Sequence, residues 1–410
     1  MQTADSAHMR LLNSNLILKM IWTERLLSRA EIARRTGLAR STVSEIVNQL
    51  LSAGIIAEVG SGKSEVGRRP ILLQFNSDAF GIIGLDMGVT HVSAVITNLH
   101  GKVLAWQQAN HDVRSDPDGT IAKLKGLIDA CLEEAKLDPD RLIGIGIGVP
   151  SPVDPNHPID CLSPLILPRW KGYDLREIFG RAFRLPVHVD NDANLGALAE
   201  YWWGKGKGTE HLAFIKVGSG IGAGLIFKGE VYRGARGMAG EIGHMVIDTH
   251  LTSSSQGHVG GLIELVGAAA LVSSVRERLA AHPESRLAQG TPTILDIADA
   301  ALAGDALAQE IVSEAGFYLG IAVANLLNLF NPTLVAFGGA VTKVGDQLLT
   351  HVQKSIRERT LWEEISNVDL TVSYLGEKTI AVGAATQVLQ AALNDMSLFP
   401  FEKLARASGS

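Results

Sequence analysis

The hydrophobic pattern of this 410-residue chain changes near Ala79. Before that point, apolar residues recur every three or four positions, as over Met9–Leu27, which predicts amphipathic helices. After it, short β-rich runs alternate with helical stretches, and glycine-rich turns separate many of the runs. We therefore predict a mainly helical N-terminal domain over residues 1–78, followed by an α/β body.

Two short helices joined by a tight turn are predicted after the first helix. Ser28, with Glu31 three residues on, is a capping signal for a helix over Arg29–Thr36. Gly37 ends this helix, because glycine tolerates the left-handed backbone of a helix C-terminus. A third helix then begins at Arg40. This pattern is typical of a helix-turn-helix, whose second helix enters the major groove of DNA. The candidate DNA contacts on that helix are Arg40, Ser41, Thr42, Ser44 and Asn48.

A predicted hairpin with strands Ile55–Glu58 and Ile71–Phe75 gives this domain a wing. Arg68 and Arg69, at the base of the wing, are suited to phosphate or minor-groove contact. The first 70 residues hold ten Lys/Arg and six Asp/Glu, whereas the other 340 hold 27 and 37. This distribution predicts a polyanion partner for the first domain alone. A small helical domain that binds another protein is the alternative.

The body is predicted to be a duplicated α/β domain. Its first lobe takes residues 79–193 and 380–400, and its second lobe takes 194–379 and includes oligomerisation helices. A glycine-rich turn at Gly218–Gly224 separates two strands of the second lobe. Two such repeated halves suggest an actin-like sugar-kinase fold with a cleft between the lobes. Residues 401–410 are predicted to form a flexible tail.

The composition points to a cytoplasmic protein without a membrane partner. No run of about 18 apolar residues occurs, and the first residues lack the pattern of a signal peptide. Only Cys131 and Cys161 are present, which excludes a disulfide framework and a multi-cysteine zinc site.

Six ordered motifs resemble those of the ROK family of sugar kinases and transcriptional repressors. They are DMGVT, GIGIGVPSPVD, DNDANLGALAE, VGSGIGAGLI, GMAGEIGH and NPTLVAFGGAV. The chain is similar to the repressor branch, which includes the N-acetylglucosamine and xylose repressors, because family kinases usually lack a DNA-binding domain. The resemblance implies an actin-like two-lobed (ribonuclease H-like) fold behind a winged helix-turn-helix. It also implies control of carbohydrate genes by a monosaccharide, or a close derivative, bound in the interlobe cleft.

The resemblance further implies which side chains bind the sugar: Asn191, Asp192, Glu241, His244 and Glu264. Asp192 matches the general base of the family kinases, and a carboxylate at a strand end can accept a hydroxyl proton or simply bind the hydroxyl. Glu241 and His244 lie three residues apart, and a carboxylate can accept from two hydroxyls at once. The alternatives are a helix N-cap for Asp192 and a surface turn for the other two.

The motif that binds structural zinc in the family is altered in this sequence. Ser255, Gly257 and Leu262 stand where the family commonly has cysteines, and none of them can supply a thiolate. We predict no metal and no other cofactor. A site built from His244, His250 and His258 is the alternative.

The phosphate-binding turns of the family kinases are also altered. Val89 replaces the second of two adjacent glycines and disfavours positive φ and close backbone approach, and Ser219 replaces a threonine. Phosphoryl transfer needs backbone amides that cradle the phosphates. We predict a sugar-responsive regulator, a homodimer or homotetramer on double-stranded operator DNA, that is not an ATP-dependent enzyme. A sugar kinase, or a bifunctional kinase and regulator, is the alternative.

Overall fold

The computed structural model describes residues 6–24, 26–61, 70–154, 162–163, 165–250 and 259–400. Arg68, Arg69, His258 and the predicted tail therefore lie outside the described residues. Within the described part, one small sheet belongs to the N-terminal domain and two five-stranded sheets form the body.

The N-terminal domain contains three helices and a three-stranded sheet. Its elements are α1 (Ser6–Glu24), β1 (Leu27–Ser28), α2 (Arg29–Thr36), α3 (Arg40–Ser52), β2 (Ile56–Ser61) and β3 (Ile71–Phe75). The Glu31 N–H donates to the Ser28 side chain over 3.2 Å, and Gly37 ends α2 with a φ of 71°. The helix-turn-helix and the wing are thus confirmed. The prediction that Leu27 ends the first helix was wrong, because this residue pairs with Leu73 in the sheet.

The first lobe is a mixed sheet flanked by helices. Its elements are β4 (Gly81–Met87), β5 (His91–Asn98), β6 (Val103–Asn110), α4 (Pro117–Ala135), β7 (Leu142–Val149), α5 (Leu175–Phe183) and β8 (Val187–Asn191). The strand order is β6-β5-β4-β7-β8, in which β4, β7 and β8 are parallel and the other pairings are antiparallel. This is the strand order of a ribonuclease H-like lobe.

The second lobe repeats this arrangement. Its elements are α6 (Asp192–Trp203), β9 (His211–Val217), β10 (Ile221–Phe227), β11 (Glu230–Val231), α7 (Leu262–Val266), α8 (Ala268–Arg278), α9 (Ile294–Leu302), α10 (Ala306–Phe330), β12 (Leu334–Gly338), α11 (Asp346–Arg357), α12 (Glu363–Ser366) and β13 (Asp369–Val372). The strand order is β11-β10-β9-β12-β13, with β12 parallel to both of its neighbours. The duplication confirms the predicted two-lobed α/β body, whereas the exact domain boundaries stay predictions.

One boundary in the second lobe differs from that predicted. The glycine-rich turn is shorter, because β10 begins at Ile221 and pairs with Val217 at once. In the helical part of this lobe, the chain breaks at Gly267 between α7 and α8. It breaks again before α10, where Asp305 caps the new helix by accepting from the Ala308 N–H over 3.0 Å.

Two helices lie between the lobes. The C-terminal helix α13 (Thr379–Asn394) packs on β4 and β7, whereas α6 packs on β9 and β10, and the two helices pack against each other. By length and composition, α10 is the one helix in the described part that could cross a membrane. However, 61% of its apolar window is buried inside the protein, as expected for a core helix.

One buried hydrophobic cluster, which we call the shared cluster, joins the N-terminal domain to the first lobe. It contains Ile17, Leu18 and Ile21 of α1, Val388, Leu389 and Leu393 of α13, and Phe80 and Phe399. Because these side chains are at most 3% exposed, the two domains form one packed interior at this place.

Hydrogen bonds extend this contact. The Asn15 side chain accepts from the Met396 N–H over 3.0 Å and donates to the Asn394 carbonyl over 2.5 Å. The Trp22 indole donates to the Leu99 carbonyl over 3.2 Å. The N-terminal domain is therefore docked on the first lobe by its first helix.

Candidate DNA-binding surface and effector cleft

The recognition helix α3 presents a polar face. Its apolar face, with Val43, Ile46, Val47 and Leu50, is buried. Among the predicted DNA contacts, Arg40, Ser41 and Asn48 are exposed, and Thr42 and Ser44 are half-buried. Asn48 also accepts from Arg29 over 3.1 Å. The five residues thus lie on one helix with much of their polar surface open, as groove contact requires.

The candidate cleft is built around the junction of β8 and α6. Asn191 is the N-cap of α6, since its side chain accepts from the N–H groups of Ala193 (2.9 Å) and Asn194 (3.2 Å). Its amide nitrogen donates to the Ser151 carbonyl over 3.3 Å. The N-cap alternative for Asp192 was therefore wrong, because Asp192 is the first residue inside the helix.

Asp192 is paired with a lysine from the central strand of the second lobe. One carboxylate oxygen accepts from the Ala193 N–H over 2.7 Å, and the other accepts from the ammonium of Lys216. Lys216 is the second-last residue of β9 and lies two positions before Gly218, where the turn begins. Sequence reasoning missed this residue. The signal that could have indicated it is a lysine near the end of a mainly apolar strand.

A second carboxylate lies close to the same ammonium. Asp86, at the end of β4, is 2% exposed and accepts from His91 over 3.2 Å. Burial acts to raise the pKa of Asp86, but the hydrogen bond and charge of His91 and the charge of Lys216 outweigh it and hold this pKa below its usual range. The hydrogen bond to Asp86 in turn raises the pKa of His91.

Lys216 remains charged in this environment. Burial acts to lower the pKa of its ammonium, but the charges of Asp192 and Asp86 outweigh burial, and the pKa lies above its usual value. The result is a compact set of two carboxylates, one ammonium and one imidazole at the strand ends.

The turn between β4 and β5 has little room beside its backbone. A Cβ atom placed on Gly88 would lie 2.4 Å from Cε1 of His91, so the imidazole ring packs directly against this glycine. The ring therefore fills the space beside this glycine, and the ion pair with Lys216 engages Asp192.

Asp190 links both lobes to α13. Its carboxylate accepts from Arg233 of the second lobe (3.1 and 2.5 Å) and from Gln387 of α13 (3.1 Å). It also accepts from the Asn194 side chain over 3.2 Å. Sequence reasoning missed Asp190 and Arg233, although Asp190 lies within the DNDANLGALAE motif.

Glu241 and His244 lie around a short 3₁₀ turn in the second lobe. Their side chains are 33% and 43% exposed, and the carboxylate lies 3.9 Å from the imidazole. Burial and the charge of Asp192 raise the pKa of Glu241, so these two carboxylates are within electrostatic reach of each other. The Leu262 N–H donates to the Met245 carbonyl over 2.9 Å, which ties the backbone before Glu264 to that after His244.

The predicted sugar-binding residues therefore come from two neighbouring parts of the cleft. Asn191 and Asp192 start α6, whereas Glu241, His244 and Glu264 come from the 3₁₀ turn and α7. The role of all five residues in sugar binding stays a prediction.

The zinc motif does not provide a ligand set. Leu262 stands at one cysteine position and is fully buried in the core of the second lobe. Across the described ranges, no group of three or more His, Cys, Asp or Glu residues is placed to hold a metal ion. Ser255, Gly257 and His258 lie outside those ranges. That the chain binds no metal stays a prediction.

The comparisons with known proteins agree with this architecture. A model of the ROK family matches residues 82–391. The chain belongs to the ROK family. A model of winged helix-turn-helix DNA-binding domains matches residues 13–57, so this ROK protein is a DNA-binding transcriptional regulator.

Relatives of this ROK protein include regulators and kinases. The xylose repressor of Caldicellulosiruptor bescii is 33% identical over 395 residues, which are 95% of this chain and 97% of the relative. The solved structure of a ROK family transcriptional regulator, a homolog of the E. coli MLC protein, has a TM-score of 0.79 and 27% identity. It covers 97% of this chain and 100% of its own. A Streptomyces griseus glucokinase, solved with glucose and AMPPNP, has a TM-score of 0.68 and 27% identity and covers 76% of this chain and 99% of its own.

Proposed function

We propose that this ROK protein is a repressor of carbohydrate genes that responds to a monosaccharide or a close derivative. The N-terminal domain binds double-stranded operator DNA, and the sugar binds in the interlobe cleft as an effector. The protein acts in the cytoplasm, where the DNA of its bacterial relatives lies.

The observation that carries this proposal is the direct connection between the cleft and the DNA-binding domain. Asp190 and Asp192 flank Asn191, the N-cap of α6, and Asp190 binds Gln387 of α13. The last turns of α13 contribute Leu389 and Leu393 to the shared cluster with α1. A sugar that changes the arrangement of the cleft thereby acts on the helix that holds the DNA-binding domain.

The side chains of the cleft favour the binding of a sugar as an effector over its phosphorylation as a substrate. Asp192 accepts from both Lys216 and the Ala193 N–H, so it is poised to bind a hydroxyl rather than to remove its proton. His91 fills the space beside the Gly88 turn. We therefore infer that the protein uses neither ATP nor a resident metal.

Repressor action requires more than one copy of the chain. A single helix-turn-helix reads one half-site, so a symmetric homodimer or homotetramer reads a palindrome with half-sites one helical turn, or a multiple of it, apart.

The test measures binding to an operator selected from random DNA, with and without D-xylose and D-glucose. Asp192→Ala and Glu241→Ala should bind DNA normally but lose the sugar response, with a sugar affinity ten- to a hundred-fold lower. Glu284→Ala, whose side chain is 73% exposed, is the matched control. A sugar response that persists undiminished in both cleft variants would place the effector site elsewhere.

A sugar kinase is the second candidate, because the glucokinase match covers the body of the chain. Incubation with ATP, Mg²⁺ and a panel of sugars separates the two functions. Turnover that is lost in Asp192→Asn would favour a kinase or a bifunctional protein, whereas sugar binding without turnover favours the effector role.

A further inference from the structure

Lys216 occupies an unusual place for a lysine. It lies at the end of the central strand β9, opposite Gly338 of β12 and Gly222 of β10. Its ammonium pairs with Asp192 at the start of α6. The side chains of Lys216 and Asp192 are 19% and 10% exposed, so the pair is largely buried but a small solute can still reach it.

The hydrogen-bonding capacity of this pair is only partly used. An ammonium has three N–H donors and a carboxylate about four acceptor positions. Among the described residues, Asp192 is the hydrogen-bond partner seen for Lys216, and Asp86 acts on it by charge alone. Asp192 accepts from Lys216 and from the Ala193 N–H. Donors and acceptors therefore remain side by side at one point of the cleft.

We propose that Lys216 is a sugar-binding residue that, together with Asp192, recognises one unsubstituted hydroxyl group of the effector. A hydroxyl both donates and accepts, so the group that donates to Asp192 can accept from Lys216 at the same time. Bonds to charged partners are the stronger class of hydrogen bond, which makes this pair a specificity determinant. This inference rests on the proposed function.

The ligand class follows from the same chemistry. A deoxy sugar that lacks this hydroxyl leaves two charged groups without their ligand partner, and an O-methyl group removes the donor and adds bulk. The pair therefore selects a sugar with a free hydroxyl at this position and rejects analogues changed there.

The experiment measures calorimetric affinities for D-xylose, D-glucose and their monodeoxy analogues. For the wild-type chain, removal of one particular hydroxyl should lower the affinity for the sugar that binds by ten- to a hundred-fold. Lys216→Met should bind the parent sugar at least tenfold more weakly and should no longer discriminate against that deoxy analogue. Lys343→Met, at a surface lysine that pairs with Asp299, is the matched control and should keep the wild-type pattern.

The outcomes separate this inference from the proposed function. If the wild-type chain binds no sugar of a panel of monosaccharides and their close derivatives, the proposed function and this inference both fail. If it binds a sugar and Lys216→Met rejects the deoxy analogue as strongly as the wild type does, this inference alone is overturned. A loss of discrimination in Lys216→Met with a cooperative thermal transition supports it.

A second pair of variants decides the matter if Lys216→Met does not fold. Asp192→Asn and the double variant Asp192→Asn/Lys216→Met differ only at the lysine. The single variant should retain part of the discrimination through the ammonium, and the double variant should lose it. Equal discrimination by these two variants overturns the role of Lys216.

Discussion

Replacement of Leu393 by alanine tests whether the DNA-binding domain and the first lobe unfold together. Leu393 is 3% exposed and belongs to the shared cluster with Ile17 and Ile21 of α1. A buried Leu→Ala change costs about 2–5 kcal/mol of unfolding free energy, because methyl groups are lost and a cavity remains. At about 1.4 kcal/mol per factor of ten, the population of opened molecules should rise roughly 30- to 4,000-fold.

Hydrogen exchange read by mass spectrometry follows both sides of the interface. Peptides from α3 and from β7 should exchange faster by a similar factor in Leu393→Ala, because both depend on the same cluster. Leu165→Ala, at a side chain that is 88% exposed, should leave both peptides unchanged. Faster exchange in β7 alone, with α3 unaffected, would refute the reasoning and establish two independent folding units.

Three further predictions concern DNA, pH and metal. In fluorescence anisotropy, Arg40→Ala should weaken binding to the selected operator by about 1–3 kcal/mol and should weaken binding to a random duplex by less. An equal loss of affinity for both DNAs would contradict a base contact. Asp86 raises the pKa of His91 in the folded protein above its value of about 6.5 in the unfolded chain. The stability that this pair contributes is therefore fully present below about pH 6.5 and is lost as the pH rises through the pKa of His91 in the folded protein. Urea titrations should therefore show that the free energy of unfolding falls above that pH, and the fall should be smaller in His91→Gln. An identical pH profile in the variant would contradict a role for this pair. After dialysis against EDTA, elemental analysis should find substoichiometric zinc, and one zinc per chain would disprove the metal-free prediction.

The elements with local signals could be predicted from the sequence. Ser28 and Gly37 mark the ends of α2 by capping geometry, and that geometry depends on residues within four positions. The breaks at Gly267 and before α10 could not be placed in this way, because apolar residues continue on both sides of them. A single glycine carries little weight against a continuous apolar pattern.

The polar pairs of the cleft could not be predicted in the same way. Lys216 lies 24 residues from Asp192, and Arg233 lies 43 residues from Asp190. Only the folding of β9 and of the segment after β11 against the start of α6 brings these charges together. The family motifs indicated the carboxylates, but the cations that neutralise them lie at positions that no motif of the resemblance singled out.

The contact between Asn15 and the residues around Met396 limits how this protein can be recombined with others. The surface that receives α1 is made by the last turns of α13 and by Phe399, more than 370 positions away in the sequence. A chimera joined at residue 78 would keep a continuous chain but would place α1 on a foreign surface and expose its apolar face. A functional exchange of the DNA-binding domain must therefore carry the C-terminal segment with it. New operator specificities are easier to obtain by substitutions on the exposed face of α3, because these leave the interface intact.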